Sequence, residues 1–372
     1  MSQKKTIALW YPAFMGGGAE SVALWMLEAL KEDYDVTLFT ITQVDLNRLN
    51  SMYGTQLSET SVKVKSLSPQ FATPLVHSAI ANNGDLRMLG FHWLIRYLKS
   101  QQQHYDLAMS AYNAIDLGCK GIQYVHWVNV VEGNEFYQKI SEFSRESLKQ
   151  NISIANSYFV AQRAKQEYGI ESTVVYPPVV LESPDMSWEE KENAFICSGR
   201  LTKAKQPHKI IQILKQVRQK GFDVKLHLTG GGGGAYALKY RRFLQKMVDE
   251  NTDWVTLYEN LKYKDYINVL YRCKYGIHYK LEPFGISIAE MLKAGLIPFV
   301  RSKGGQVEIV GEENQALFFD SLDEAEEKIV NVLKDTQKQQ QLLSVLDKRK
   351  SLFSTERFMS GVQAVVGDYF ER

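Results

Sequence analysis

Glu282-Pro283-Phe284-Gly285-Ile286-Ser287-Ile288-Ala289-Glu290 is the stretch on which the reading of this chain turns. It follows an apolar run of strand length, Tyr275-Gly276-Ile277-His278, and leads into Met291-Leu292-Lys293-Ala294-Gly295. The spacing places Glu282 in a loop and Glu290 in the helix after it. Two carboxylates separated by seven residues can bridge a ligand from end to end. Carboxylates accept hydrogen bonds from vicinal hydroxyls, which suits sugar and ribose. Gly285 lets backbone N–H groups at the helix start face that ligand. The plainer reading makes Glu282 a cap and Glu290 a solvent-facing charge. Yet Glu290 sits among Ile286, Ile288, Ala289 and Met291, a poor place for an idle charge.

Outward from this stretch, short apolar runs alternate with helical spacing. In the second half the runs are 194–197, 224–228, 254–257, 275–278, 297–300 and 316–319, with a helix over 209–219. In the first half they are 6–11, 35–40, 106–110, 121–125, 152–155 and 174–176, with Ala23, Leu24, Leu27 and Leu30 at helical spacing. Strands buried on both faces and separated by helices indicate parallel α/β sheets. Pro177-Pro178 stops the first set, and a polar stretch to about Asn193, including Pro184, reads as a linker. Two successive sets predict two facing Rossmann-like domains with a cleft between them. Ligands of such sheets sit outside the carboxyl ends of the strands.

Composition narrows the function. The 44 Lys+Arg against 42 Asp+Glu leave a formal charge of +2, too balanced for a protein that coats nucleic acid. Cys119, Cys197 and Cys273 form no CxxC pair and read as small hydrophobes, and no HxH or HExxH marks a metal site. No signal peptide and no membrane-spanning run are expected, so the expected compartment is the cytoplasm.

Three more constellations fall in loops after strands. Gly16-Gly17-Gly18-Ala19-Glu20 can bring backbone N–H groups to an anion, or be a tight turn; Ser21 breaks the GxGxxG pattern. Arg200 and Lys205 form the fork and point charge expected on a diphosphate, or are solvated cations beside Lys203. Gly304-Gly305-Gln306-Val307-Glu308 offers backbone donors, or an ordinary turn.

With these residues in order, the chain resembles the GT-B glycosyltransferases of the GT4-type, retaining family (glycosyl transferases group 1). The resemblance rests on Gly16–Glu20, His126, Ala155-Asn156-Ser157, Gly199-Arg200 with Lys205, the strand end at Gly230, Glu282 through Glu290, and Gly304-Gly305. Tyr124-Val125-His126-Trp127 and Val175-Tyr176-Pro177-Pro178 lean toward the GDP-mannose-using branch. The resemblance implies an N-terminal acceptor domain over 1–178, a nucleotide-sugar donor domain over 179–353, and a C-terminal helix, 354–372, returning to the first domain. It implies a hexosyltransferase of polysaccharide biosynthesis that uses a GDP-mannose or UDP-sugar donor, without metal or cofactor. Glu282 would bind donor-sugar hydroxyls and Glu290 the ribose. Arg200 and Lys205 would hold the diphosphate, with donors at Gly17, Gly18, Gly230, Phe284, Gly285 and Ile286, and His126 would line the sugar pocket. The run Gly230 to Gly234 departs from the family's one or two glycines.

The implied acceptor is a glycan or lipid-linked sugar. Residues 85–99, with Leu86, Leu89, Phe91, Trp93, Leu94, Tyr97 and Leu98 beside Arg87, Arg96 and Lys99, form either an amphipathic helix on the inner face of the membrane or a core helix with snorkelling cations, and Asn113, Tyr112 and the loop 129–136 are further candidate acceptor contacts. A sugar-nucleotide isomerase or epimerase on the same fold, and a non-catalytic sugar-nucleotide-binding protein, are the alternatives.

Overall fold

In the computed structural model, which describes residues 4–182, 185–231 and 238–371, the apolar runs become parallel strands. The chain divides into two units, residues 1–180 with 354–372, and residues 181–353. Each is described on its own. Pro184 of the polar linker and Gly232 to Gly234 of the glycine run lie outside the described residues.

In the first unit the described residues form a seven-stranded sheet in the order β3-β2-β1-β4-β5-β6-β7. The strands are β1 (Thr6–Trp10), β2 (Asp35–Thr40), β3 (Val62–Ser66), β4 (Leu107–Ser110), β5 (Ile122–Val125), β6 (Ile152–Ala155) and β7 (Ser172–Val174). All pairings are parallel, with Ile7 opposite Val36 and Leu9 opposite Leu38. Because side chains alternate along a strand, Ile7 and Leu9 enter one core and Ala8 and Trp10 the other. That two-sided burial is why the strands read as continuous apolar runs.

The helix Gly84–Gln101 sends Phe91, Leu94, Ile95 and Leu98 into the second of these cores. Its Lys99 pairs with Asp116 at 2.5 Å and bonds the Ser141 and Glu142 carbonyls, while Arg96 bonds the Ile140 carbonyl. Lys99 and Arg96 thus brace a neighbouring turn. Trp93 and Leu86 remain exposed. Among the described residues no helix is long and apolar enough to cross a membrane. Cys197 and Cys273 are buried, but Cys119 is exposed, so only two of the three cysteines serve as small hydrophobes.

The last helix, Thr355–Glu371, belongs to the first unit. Phe358, Val362, Val365 and Val366 enter the same core as Leu24 and Leu27 of the helix Gly18–Leu30. The Phe370 ring stacks on Tyr34 at 5.6 Å, and Gln363 donates to the Ala29 carbonyl at 2.8 Å. Gly361 lies so close to Val175 that a Cβ there would sit 2.9 Å from its Cγ1.

The second unit's described sheet is six-stranded, in the order β10-β9-β8-β11-β12-β13. Its strands are β8 (Glu192–Ser198), β9 (Lys225–Gly230), β10 (Val255–Glu259), β11 (Cys273–His278), β12 (Ile297–Arg301) and β13 (Phe318–Phe319). Phe195 stacks on Tyr275 at 4.9 Å across β8 and β11, with Phe299 of β12 beside both. This aromatic layer fixes the strands whose carboxyl ends carry the site.

The last helix makes a direct test possible. Phe358→Ala removes a side chain that is 1% exposed. It should cost about 3–5 kcal/mol and lower the melting temperature by roughly 10 °C. Thermal unfolding of the variant checks this; a fall of under about 2 °C would show that the helix adds nothing to the core.

Candidate functional site

The loops at the carboxyl ends of β8, β9 and β10 line a cavity of about 330 Å³ in the second unit. Ser198, Gly199, Thr229, Gly230, Asn260 and Tyr266 are on its wall, with Ser287 and Glu290 from the helix Ile286–Lys293. The glycines there are required by close backbone approach. A Cβ on Gly230 would overlap the Gly199 carbonyl oxygen, and one on Gly231 the Asn260 side chain. Asn260 has φ +54° and donates its N–H to the Gly230 carbonyl at 2.8 Å. Gln206, just before the helix Pro207–Gln219, also has φ +54°, a costly conformation for that residue type.

Glu290 faces this cavity and accepts from the Tyr266 hydroxyl at 2.8 Å. Burial pushes its carboxyl up to about 7, and the Tyr266 hydrogen bond pulls the other way. Glu282 precedes the same helix start and is 8% exposed. One of its oxygens, Oε1, accepts from two donors: Lys205 Nζ at 2.5 Å and His278 Nε2 at 2.9 Å. Burial raises its carboxyl pKa. The hydrogen bonds and charges of His278 and Lys205 outweigh that and hold it at about 2. The structure therefore joins Lys205 to Glu282, two residues assigned separate duties from the sequence.

The Glu282 backbone is clamped as well. Its N–H donates to Gln306 Oε1 at 2.7 Å, and its carbonyl accepts from the Gly305 N–H at 2.9 Å. Gln306 Nε2 reaches the Lys280 carbonyl at 3.1 Å. The Gly304-Gly305-Gln306 turn thus braces the Glu282 loop, and the Gly305 N–H is committed to that loop. Gly285 caps the helix Ile286–Lys293 with φ +107°. Phe284 is buried with its ring edge toward Phe353, 5.7 Å away. Arg200 is exposed in the loop after β8.

In the first unit Gly17, with φ +147°, precedes the helix Gly18–Leu30, so Gly18 is the first helical residue. The Gly16 N–H donates to Glu20 Oε1, and the Tyr53 hydroxyl donates to Glu20 Oε2 at 2.8 Å. Burial raises the Glu20 carboxyl, against these hydrogen bonds. His77 Nε2 bonds the Phe14 carbonyl at 2.8 Å. The glycine loop is thus held from three helices. His126 follows β5. Its N–H and that of Trp127 reach Asn113 Oδ1 at 2.9 and 2.7 Å, and its Nε2 bonds the Ala111 carbonyl at 3.1 Å. A carbonyl only accepts, so Nε2 carries the proton and Nδ1 is an acceptor. Burial lowers the His126 pKa to about 4, so the ring is neutral at pH 7. Asn156 Nδ2 bonds the His126 carbonyl at 3.3 Å.

Sequence reasoning passed over His278, Tyr266 and Tyr53, read Gln306 only as part of a turn offering backbone donors, and read Asn113 as an acceptor contact where the structure has it hold the His126 backbone. Of those passed over, His278, in the strand next to Glu282, stood close to a recognised motif. Among the described residues no group of three or more His, Cys, Asp or Glu side chains could hold a metal ion.

Comparison with known proteins follows this geometry. Residues 182–344 match the family model described as glycosyl transferases group 1. No curated relative matches the chain. Among solved structures, Anabaena HepE, crystallised with UDP and glucose, is 16% identical with a TM-score of 0.70, covering 98% of this chain and 100% of that one. Sucrose-phosphate synthase from Thermosynechococcus elongatus is 16% identical with a TM-score of 0.69, covering 99% and 100%. WaaG, a glycosyltransferase involved in lipopolysaccharide biosynthesis, is 12% identical with a TM-score of 0.65, covering 96% and 98%. The two parallel sheets are those of the GT-B fold, and the segment that matches glycosyl transferases group 1 lies in the second unit.

Proposed function

We propose that the protein transfers a hexosyl group from a nucleoside-diphosphate sugar to a glycan or lipid-linked acceptor, with retention of configuration and without a metal ion. The donor is a UDP-sugar or GDP-mannose. The second unit is the donor domain, and the first, with the last helix, the acceptor domain. The observation that carries this reading is the cavity outside β8, β9 and β10, with Glu290 on its wall and the Lys205–Glu282 pair at the same helix start. The solved complexes of Anabaena HepE with UDP and with UDP-glucose support the nucleotide class.

Glu290 accepts hydrogen bonds from the ribose diol. Arg200 and Lys205 hold the diphosphate and stabilise the charge that grows on it as the glycosidic bond breaks. Backbone donors at Gly17, Gly18, Gly230, Phe284, Gly285 and Ile286 add to that cradle. Glu282, held as an anion, accepts from donor-sugar hydroxyls. His126, neutral with an accepting Nδ1, takes a sugar hydroxyl as hydrogen-bond partner, not as counterion. Attack from the leaving-group side lets a phosphate oxygen receive the acceptor proton, so no carboxylate has to act as nucleophile.

A thermal-shift panel of UDP-, GDP-, dTDP- and ADP-sugars tests the reading, since a ligand that binds only the folded state raises its stability. One nucleotide class should raise the melting temperature, and no shift with any of the four would reject the donor assignment.

Lys205→Ala and Arg200→Ala should each lower turnover of that donor by about 10²–10³-fold with the fold intact. Near-normal rates in both would remove the diphosphate role.

Glu290 predicts opposite effects on stability and binding. Its folded pKa of about 7 lies above the ordinary glutamate value of 4.5. The stability it contributes is therefore present below pH 4.5 and lost as pH rises through about 7. Glu290→Gln should flatten that decline and raise the melting temperature at pH 8 by a few degrees. The same change should weaken nucleoside-diphosphate binding by about 10-fold, the scale of a hydrogen bond to a charged group. Equal affinity in variant and wild type would dismiss the ribose contact.

A further inference from the structure

We infer that His278 is the positioning residue of Glu282: a buried, strand-fixed hydrogen-bond donor that keeps this carboxylate in place when Lys205 leaves it for the donor diphosphate. The inference rests on the function proposed above, in which Glu282 binds donor-sugar hydroxyls.

Three histidines are buried among the described residues, His92, His227 and His278, and they differ in how their nitrogens are used; His227 pairs Nε2 with Glu192 at 3.3 Å and its Nδ1 has no hydrogen-bond partner among the described residues. His92, fully buried, satisfies both: Nδ1 meets Ser141 Oγ at 2.7 Å and Nε2 the Val131 carbonyl at 3.0 Å. That is the pattern of a structural histidine, and it ties the helix Gly84–Gln101 to a loop. His278 is 2% exposed, and its Nε2 donates to Glu282 at 2.9 Å. Its Nδ1 is buried with no hydrogen-bond partner among the described residues. An apolar side chain would fill this place without leaving a polar atom unpaired. The ring's polar function is thus directed at Glu282 alone.

His278 and Lys205 also differ in mobility. His278 ends β11, inside the sheet, while Lys205 stands in the loop before the helix Pro207–Gln219 on a long flexible stem. Both reach the same oxygen, Glu282 Oε1. When a diphosphate draws Lys205 away, His278 remains. Without it, the buried carboxylate would lose its side-chain donors and turn toward solvent or take up a proton. The groups facing Glu282 that enter this balance are Lys205 from the loop after β8 and His278 from β11.

The test is calorimetric titration of wild type, His278→Leu and His278→Gln with UDP, GDP, UDP-glucose and GDP-mannose between pH 5 and 8. Glutamine can place its Nε2 near the imidazole Nε2; leucine cannot donate. The readout is the ratio of the Kd for a sugar nucleotide to the Kd for its nucleoside diphosphate. The ratio should rise about 10-fold in His278→Leu and return to within about 3-fold of wild type in His278→Gln. The loss in the leucine variant should be greater at pH 5 than at pH 8, because Glu282 then protonates more readily. If leucine does not fold, His278→Met carries the same comparison. An unchanged ratio, or equal loss of nucleoside diphosphate and sugar nucleotide, overturns the positioning role. A folded wild type that binds none of the four ligands overturns the function reading itself, an outcome distinct from either.

Discussion

A carboxylate can be buried in charged form only where its partners are already in position, and the second unit is arranged around that demand at Glu282. His278 arrives from the end of β11, Lys205 from the loop after β8, and Gln306 and Gly305 from the turn after β12. Three loops are joined through one residue. A Cβ on Gly304 would sit 2.6 Å from the Glu282 carbonyl oxygen, and one on Gly305 would overlap the Pro283 carbonyl oxygen. The two glycines are there because a turn must lie flat against that loop. Their role is to let Gln306 reach the backbone beneath the carboxylate.

The strands were legible because two-sided burial leaves a strong apolar signature. β3 escaped for the same reason. Val62-Lys63-Val64-Lys65 alternates, as an edge strand does, and Val62 faces the core while Lys65 lies over the Phe39 and Tyr105 rings at 5.5 Å. Lysines covering aromatic rings read from sequence as loop charge. The final helix was legible because Phe358, Val362, Val365 and Val366 recur on one face, although nothing local says which surface they meet. Glu282 and Glu290 stood out as carboxylates in apolar surroundings. Their partners did not. Tyr266 and Gln306 are each 24 residues from the glutamate they serve, and Lys205 is 77 away. Sheet topology brings these together, and no local period encodes it.

Three glutamates in the loops and helices that follow strands show how environment assigns charge. Glu20 and Glu290 are met mainly by neutral donors, tyrosine hydroxyls and in Glu20's case backbone N–H groups, and burial pushes both carboxyls upward. Glu282 is also buried but meets Lys205 and His278, and stays an anion. The residue type is constant; the partner decides. This separates duties on the proposed reading. Glu282 presents full charge to sugar hydroxyls at any physiological pH. Glu290, near its midpoint at neutral pH, gains charge when a diol is there to share it.

On the proposed reading, the Lys205–Glu282 pair sets a competition for the lysine. Side chains 20% and 11% exposed give an ion pair screened less than one at the surface. A diphosphate has to offer Lys205 more than Glu282 does. It can, because it carries more negative charge and several acceptor oxygens, and because Lys205 is already in the site and need not be ordered from solvent. On that proposed reading, the pair therefore costs some donor affinity and contributes a preorganised cation in return. The exchange is tolerable only if Glu282 keeps another donor once the lysine has gone. His278, tied to the sheet and carrying no competing partner on Nδ1 among the described residues, is the group that meets that condition.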